Sequence, residues 1–384
     1  MKNIGTIRLF GILLCLGVMY VCAEEGLAGK YPGDAGIDKD SDVVFAEDFE
    51  KGNLGDVLSN WTDSGETGDM TLAADVPPGS SGSKSLQMGS DINKAPYLYK
   101  AFSPGFDDKI YVRYYVKYFS GGKFHHTCCR IGSYNPYSGT PNPFGWGTGK
   151  NHPNGNQGFE VDPEPCETRY KTIDSSPKFD FYVYWMDMKP CRGGKEWYGN
   201  MLLNDGSARI TPGKWTCIET MIKLNKPGGK DGELILWMDG RQIKKIGNMR
   251  WRTGAAVKIN WIRPLNYVTE SPGGRVAFDD LVVAKSYIGP IEFNPLDSIK
   301  LYSGPFYKGG FVRFKGLPSA SITIKIFDES DKLVQDVSNR IGDMFWNGKD
   351  SKGDLAEPGK YKVRIADKKK HEKVFEIELV EKKK

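Results

Sequence analysis

The chain has 384 residues, enough for two or three domains, with 46 Gly, 22 Pro and 12% aromatic residues. That composition, with short alternating stretches and no helical period, excludes helix bundles and points to an all-β architecture. The formal charge of +5 falls to +3 if a leader carrying Lys2 and Arg8 is removed. That excess is too weak and diffuse for nucleic acid, yet compatible with a basic groove for an acidic partner.

At the start, Lys2 and Arg8 precede an apolar run from Leu9 to Val21. The run has the length of a signal-peptide h-region and is too short to span a bilayer comfortably. Val21 and Ala23 suit cleavage before Glu24, so residues 1–23 read as a removed signal peptide. The chain is therefore expected to be secreted, or held in the periplasm or at the cell surface of a bacterium. Met19-Tyr20-Val21 lacks the small residue wanted before a lipidated Cys22, which favours release over anchoring. No later run is apolar enough to cross a membrane.

Residues 24–41 are Gly- and Asp-rich and read as a linker. A first strand is expected over Val43–Phe49, and others over Tyr97–Phe102, Ile110–Phe119, Thr127–Ile131, Phe179–Met186 and Trp215–Leu224. Glu233–Met238, Arg241–Ile246, Val257–Arg263 and Arg275–Ala284 complete the set, with Asp239-Gly240 as a hairpin signal. Long polar connections at 132–157 and 187–214 are rich in Gly, Pro, Asn and aromatics, a composition typical of functional loops. Residues 42–290 thus predict one large sandwich. Pro290 and Pro295 mark its end, and 291–384, with apolar alternation at Val312–Phe314, Ile322–Phe327 and Tyr361–Ile365, predict a small Ig-like sandwich.

Five cysteines follow the leader: Cys128, Cys129, Cys166, Cys191 and Cys217. Export permits a disulfide or two, and the odd count leaves at least one thiol over. No CxxC spacing supports zinc.

Two resemblances follow from longer stretches. GKWTCIETMIKLNKPGGKDGELILWMDGRQI (213–243), FAEDFE (45–50), VAFDDLVVAKSYIGP (276–290) and FYVYWMDMKPCRGGKEWYGN (181–200) resemble concanavalin A-like jelly-roll polysaccharide lyases of the alginate and glucuronan lyase kind. VRFKGLPSASITIKIFDESDKLVQDV (312–337) with MFWNGKDSKGDLAEPGKYKVRI (344–365) is similar to the flagellar hook-capping type of Ig-like domain. The first resemblance implies cleavage of a uronic-acid polysaccharide by β-elimination without a catalytic cofactor. The second implies a spacer, attachment or sorting module.

Strand alternation supplies candidate residues for that chemistry. It leaves Arg113, Tyr115 and Lys117 on the polar side of one strand, His126, Cys128 and Arg130 on that of a second, and Asp180, Tyr182 and Tyr184 on that of a third. Elimination needs a cation to neutralise the uronate carboxylate, a base for the C5 proton and an acid for the leaving oxygen. Arg130 suits the first role, His126 or Tyr184 the second, and Tyr184 or Tyr198 the third. Lys189 or Arg130 could lower a tyrosine's pKa. Arg113, Tyr115, Lys117 and Tyr182 would then bind the substrate, and Trp146, Trp197, Tyr134, Tyr137 and Phe144 in the loops would stack on sugar rings.

Glu160-Val161-Asp162-Pro163-Glu164 offers a competing reading, because it resembles the ExDxE strand of laminarinase-type glycoside hydrolases. Four strand residues span roughly 13 Å, whereas a retaining pair stands about 5–5.5 Å apart, so Glu160 and Glu164 would have to lean together. Pro163 suggests an edge or loop there. A non-catalytic glycan-binding surface protein is the third reading. Glu47, Asp48, Asp279 and Asp280, on the expected first and last strands, could hold a structural Ca²⁺.

Overall fold

The computed structural model describes residues 26–138, 152–191, 193–194, 196–291, 296, 299–302, 306–307, 312–315, 322–337, 344–367 and 371–381. The signal peptide expected at 1–23, Phe144 and Trp146 lie outside the described residues.

From Val43 to Ala284 alternating sequences form strands in two antiparallel sheets. In chain order they are β1 (Val43–Glu47), β2 (Asp63–Gly65), β3 (Met70–Ala73), β4 (Ser85–Met88) and β5 (Tyr97–Phe106). Next come β6 (Lys109–Tyr118), β7 (His126–Tyr134), β8 (Gly158–Pro165), β9 (Phe179–Tyr184) and β10 (Asn200–Met201). The last are β11 (Thr216–Lys223), β12 (Gly232–Met238), β13 (Arg241–Met249), β14 (Ile259–Tyr267) and β15 (Val276–Ala284).

One sheet runs β13-β12-β11-β6-β15-β4-β3, with β1 also paired to β15. The other runs β10-β9-β8-β7-β14-β5-β2. Val112, Val116, Ile218 and Phe278 of the first sheet share one core with Ile131, Val161, Phe181 and Ile262 of the second. This is the all-β sandwich expected from the alternation, and the jelly roll that the resemblance implied. First and last strands are neighbours, with Ala46 opposite Val282. Asp239 and Gly240 both adopt positive φ, 48° and 74°, and close the β12–β13 hairpin as its right-handed twist requires.

β8 departs from the loop-like expectation. It is buried along its whole length, paired to β9 from Glu160 to Pro165 and to β7 from Gly158 to Val161. Pro163 lies beyond the β7 ladder, where its missing N–H leaves no gap. The stretch read as a linker is also different from Gly26 on. Short 3-10 turns at Leu27–Lys30, Pro32–Asp34 and Ile37–Lys39 set Leu27 and Ile37 against Val282, Ala284 and Ile288 of the first sheet.

All five described cysteines are free thiols, so the expected disulfides are not formed. Strand alternation separates them: Cys129 joins the central core, while Cys217 packs with Tyr115 and Ile291 on the far side of the first sheet.

Beyond Ile291 a second core begins. A three-stranded sheet (Lys300–Tyr302, Val312–Lys315, Met344–Trp346) faces a five-stranded one (Phe306–Tyr307, Ile322–Asp328, Leu333–Asp336, Gly359–Asp367, Glu372–Val380). Val312, Phe314 and Trp346 from the first meet Ile324, Val363 and Leu379 from the second.

Candidate active site

The β-ladder of the second sheet assembles the site on the face turned away from the core. Because Cys129 and Ile131 of β7 point inward, His126 and Arg130 point out. β14 sets Arg263 opposite Arg130 and Tyr267 opposite His126. On the other flank, β9 sets Tyr184 opposite Glu160 and Tyr182 opposite Asp162. Together with Tyr97, His125, Glu164, Arg169 and Tyr198 these side chains, Asp162 excepted, line a cleft of about 1020 Å³, large enough for an oligosaccharide segment.

Charges in the cleft are matched closely. Arg130 Nη1 stands 2.9 Å from Glu160 Oε1, and its Nε stands 3.1 Å from Asp162 Oδ2. The second approach is a charge contact without hydrogen-bond alignment, since both atoms lack a hydrogen-bond partner. Burial alone would lower the Arg130 pKa, but Asp162 and Glu160 outweigh it and keep the guanidinium charged. For Arg263, burial and the adjacent Arg130 bring the pKa down to about 10. Asp162 and Glu164 are pushed well up, chiefly by burial and then by neighbouring carboxylates, against the pull of Arg130.

His126 Nδ1 lies 3.0 Å from Glu164 Oε2. Burial, then Arg130, lowers this imidazole to about 3, so the ring is neutral and one proton lies between Nδ1 and the carboxyl group. His126 stacks on His125 with centroids 4.1 Å apart and faces Tyr182 at 5.0 Å. The Tyr182 and Tyr184 hydroxyls share a hydrogen bond of 3.2 Å. Burial raises both phenols, which keeps them protonated and available as proton donors.

The chain leaving β10 is fastened to β9. Asp180 accepts hydrogen bonds from the backbone N–H of Leu202, Leu203 and Asn204 at 2.9, 2.7 and 3.1 Å. Gly199 lies flat on Tyr182, where an added Cβ would come within 2.5 Å of the ring.

Five of the expected residues, Arg130, His126, Tyr184, Tyr198 and Tyr182, therefore meet in one cleft. Arg113, Tyr115 and Lys117 do not, because β6 belongs to the opposite sheet. Arg113 is fully buried, hydrogen-bonded to Asp280 O at 2.9 Å and paired with Asp34. The Tyr115 hydroxyl accepts the Ile291 N–H at 2.9 Å, and Lys117 pairs with Asp75 at 2.7 Å. Lys189 is exposed and stands outside the cleft lining. Trp197 also stands outside it, stacked on His152 at 3.9 Å. Trp146 lies outside the described residues, and Tyr137 is 90% exposed.

Glu160 and Glu164, from the competing motif, line the same cleft, whereas Asp162 lies beneath them, fully buried. Arg263, His125, Tyr267, Arg169 and Tyr97 were not anticipated. Arg263 closed an expected strand that runs four residues further, through Tyr267.

The proposed calcium ligands are only partly gathered. Glu47, Asp48 and Asp280 border a separate pocket of about 410 Å³, with Asp34. Glu47 is already engaged by the Phe49 N–H at 3.2 Å and Asn60 Nδ2 at 2.8 Å. Asp34 Oδ1, Asp279 Oδ2 and Asp280 Oδ2 are buried without hydrogen-bond partners. Among the described residues, His126, Asp162 and Glu164 are the trio of His, Cys, Asp or Glu groups whose ligand atoms lie within 4.8 Å of one another, so Glu47, Asp48, Asp279 and Asp280 are not drawn together to that degree.

No curated protein matches the chain. Three solved structures are similar to it. An alginate lyase of family PL-14 from Aplysia kurodai shares 14% identity, with 63% of this chain and 98% of that chain covered and a TM-score of 0.45. The alginate lyase Aly36B shares 15%, with coverages of 64% and 98% and a TM-score of 0.41. The endo-β-1,4-glucuronan lyase from the fungus Trichoderma reesei shares 12%, with coverages of 63% and 95% and a TM-score of 0.39. The family described as Polysaccharide lyase 14 matches residues 180–263. That segment begins on β9 and ends on β14, so the part of the chain that is similar to polysaccharide lyase 14 carries Tyr182, Tyr184, Tyr198 and Arg263 of the cleft.

Proposed function

We propose that the jelly roll cleaves a uronic-acid-containing polysaccharide by β-elimination in this cleft. The observation that carries the reading is the convergence of Arg130, Arg263, His126, Tyr184 and Tyr198 on one concave surface, three of them within the segment similar to polysaccharide lyase 14. Arg130 and Arg263 would neutralise the uronate carboxylate and stabilise the enolate-like intermediate. His126 would serve as the base for the C5 proton only in the tautomer with the shared proton on Nδ1 and Nε2 free, which requires Glu164 in its ionised form. Tyr184, protonated and backed by Tyr182, is the acid for the leaving oxygen. The raised phenol pKa argues against Tyr184 as the base.

Hydrolysis is the second reading, favoured by the placement of Glu160, Asp162 and Glu164 on one face of β8. Alginate and glucuronan are the first substrates to try. Elimination produces unsaturated uronate ends that absorb in the ultraviolet, and Tyr184→Phe is expected to lower kcat by about 10²–10⁴-fold. Full lyase activity in both Tyr184→Phe and Arg130→Ala would refute the assignment. New reducing ends without unsaturated product would point to Glu160 and Glu164, and binding without either product to a glycan-binding protein.

The proposal includes export through residues 1–23 and a spacer or attachment role for the C-terminal sandwich. It also includes a structural Ca²⁺ beside Asp34, Asp279 and Asp280, whose unpartnered buried oxygens suit a hard cation.

A further inference from the structure

Within the cleft one carboxylate is left without a hydrogen bond. Asp162 is fully buried, and neither of its oxygens has a hydrogen-bond partner. Arg130 Nε is 3.1 Å away from it and not aligned to donate. A carboxylate withdrawn from water in this way calls for a proton or a cation. The other two carboxylates on the outer face of β8 are engaged, Glu160 by Arg130 Nη1 at 2.9 Å and Glu164 by His126 Nδ1 at 3.0 Å, which leaves Asp162 as the one whose oxygens have no hydrogen bond.

His126 Nδ1, an Asp162 oxygen and a Glu164 oxygen all lie within 4.8 Å of one another. The Nδ1 to Glu164 Oε2 separation is 3.0 Å. Two ligands bonded to one ion at about 2.1 Å stand about 3.0 Å apart at a right angle and about 3.4 Å apart in a tetrahedron. The pair is thus already at ligand spacing, and the Asp162 ligand atom lies within 4.8 Å of both. One imidazole and two carboxylates make a nitrogen–oxygen set suited to borderline divalent ions and poorly suited to soft ones.

We propose that His126, Asp162 and Glu164 form a binding site for one divalent transition-metal ion, of the zinc, manganese or cobalt class, open toward the cleft. His126 and Glu164 border the cleft while Asp162 forms the floor, so an ion held there keeps coordination positions for water or a sugar oxygen. The site does not depend on the lyase reading, because binding is measured without polysaccharide. A metal on Nδ1 would displace the proton that leaves Nε2 free, so binding would take His126 out of the base role, whereas failure of metal binding would leave the elimination reading standing.

The test is a titration of the chelator-treated, full mature chain with Co²⁺, followed by calorimetry and visible absorption. The expected result is one Co²⁺ per chain, with a nitrogen–oxygen spectrum and no thiolate charge-transfer band. His126→Gln, at a half-buried position, is expected to weaken binding at least tenfold. Asp162→Asn should do the same and is scored only where its circular dichroism matches the wild type. Absence of stoichiometric binding, unchanged affinity in His126→Gln, or a thiolate band from Cys128 would each overturn the proposal.

Discussion

At the scale of single residues, the cleft is governed by burial acting on charge. His125 is half-buried and lowered to about 3, first by burial and then by His126, Arg169 and Arg130. The ordinary value is 6.5. Between those values the unfolded chain holds a proton that the folded chain lacks, so His125 adds a stability that is complete above about 6.5 and is lost as the pH falls toward 3. One such proton changes stability by up to about 1.4 kcal/mol per pH unit. His125→Gln is therefore expected to flatten the acid side of the melting-temperature profile, and an unchanged slope between about pH 4 and 6 would contradict the assignment. Alternation placed His126, Arg130 and Tyr184 outward from sequence alone. It also placed Arg113, Tyr115 and Lys117 outward, correctly for their strand, but a residue's face says nothing about which sheet owns that face.

At the scale of elements, prolines account for most of what was misread. Expected strands stopped at Phe102, before Pro104, and at Arg263, before Pro264, while β8 was demoted because of Pro163. In the folded chain β5 continues to Phe106, β14 to Tyr267, and β8 is an interior strand. Proline lacks one donor, and a strand tolerates it wherever a neighbour's ladder has ended or shifted. Such places are set by the partner strand. The β9–β10 region shows the opposite economy, in which short-range features position the site. Asp180 fastens the chain at 202–204, and Gly199 is the only size that fits over Tyr182. Gly199→Ala is expected to push the Tyr182 ring aside and disturb its bond to Tyr184. Cleavage should fall at least tenfold, while a melting-temperature loss corresponding to about 1–3 kcal/mol reports the overpacking. Normal activity in a folded Gly199→Ala protein would separate Tyr182 from the chemistry.

At the scale of the whole molecule, two cores are formed by separate stretches of chain. The jelly-roll clusters end with Ile288 and Ile291, and the second core begins with Leu296. A protein ending after Ile291 is expected to keep the jelly-roll melting transition and, if the proposed activity is present, its turnover. Loss of the transition would show that the second unit supports the first. The N-terminal segment is tied to the jelly roll through Arg113 and Asp34, beside the unpartnered Asp279 and Asp280. If calcium fills that corner, chelation should lower the melting temperature and Ca²⁺ should restore it, whereas Mg²⁺, which demands tighter geometry, should not. Equal stability with and without chelator would remove calcium from the account.

Local chemistry alone determined the all-β class, the hairpin at Asp239-Gly240, the inward and outward faces of β7 and β9, and a change of unit near Pro290 and Pro295. These follow from side-chain alternation, turn chemistry and composition, each of which acts over a few residues. Only the tertiary structure decided that β6 lies in the opposite sheet, that β8 is buried between β7 and β9, and that His126 meets Glu164 while Arg130 meets Arg263. Those pairings depend on strand order and register, which are settled by how two whole sheets bury their shared core. The loop-like acidic motif and the histidine were both visible from the start, but the contact between them, on which the proposed base and the proposed metal site each rest, exists only in the folded sheet.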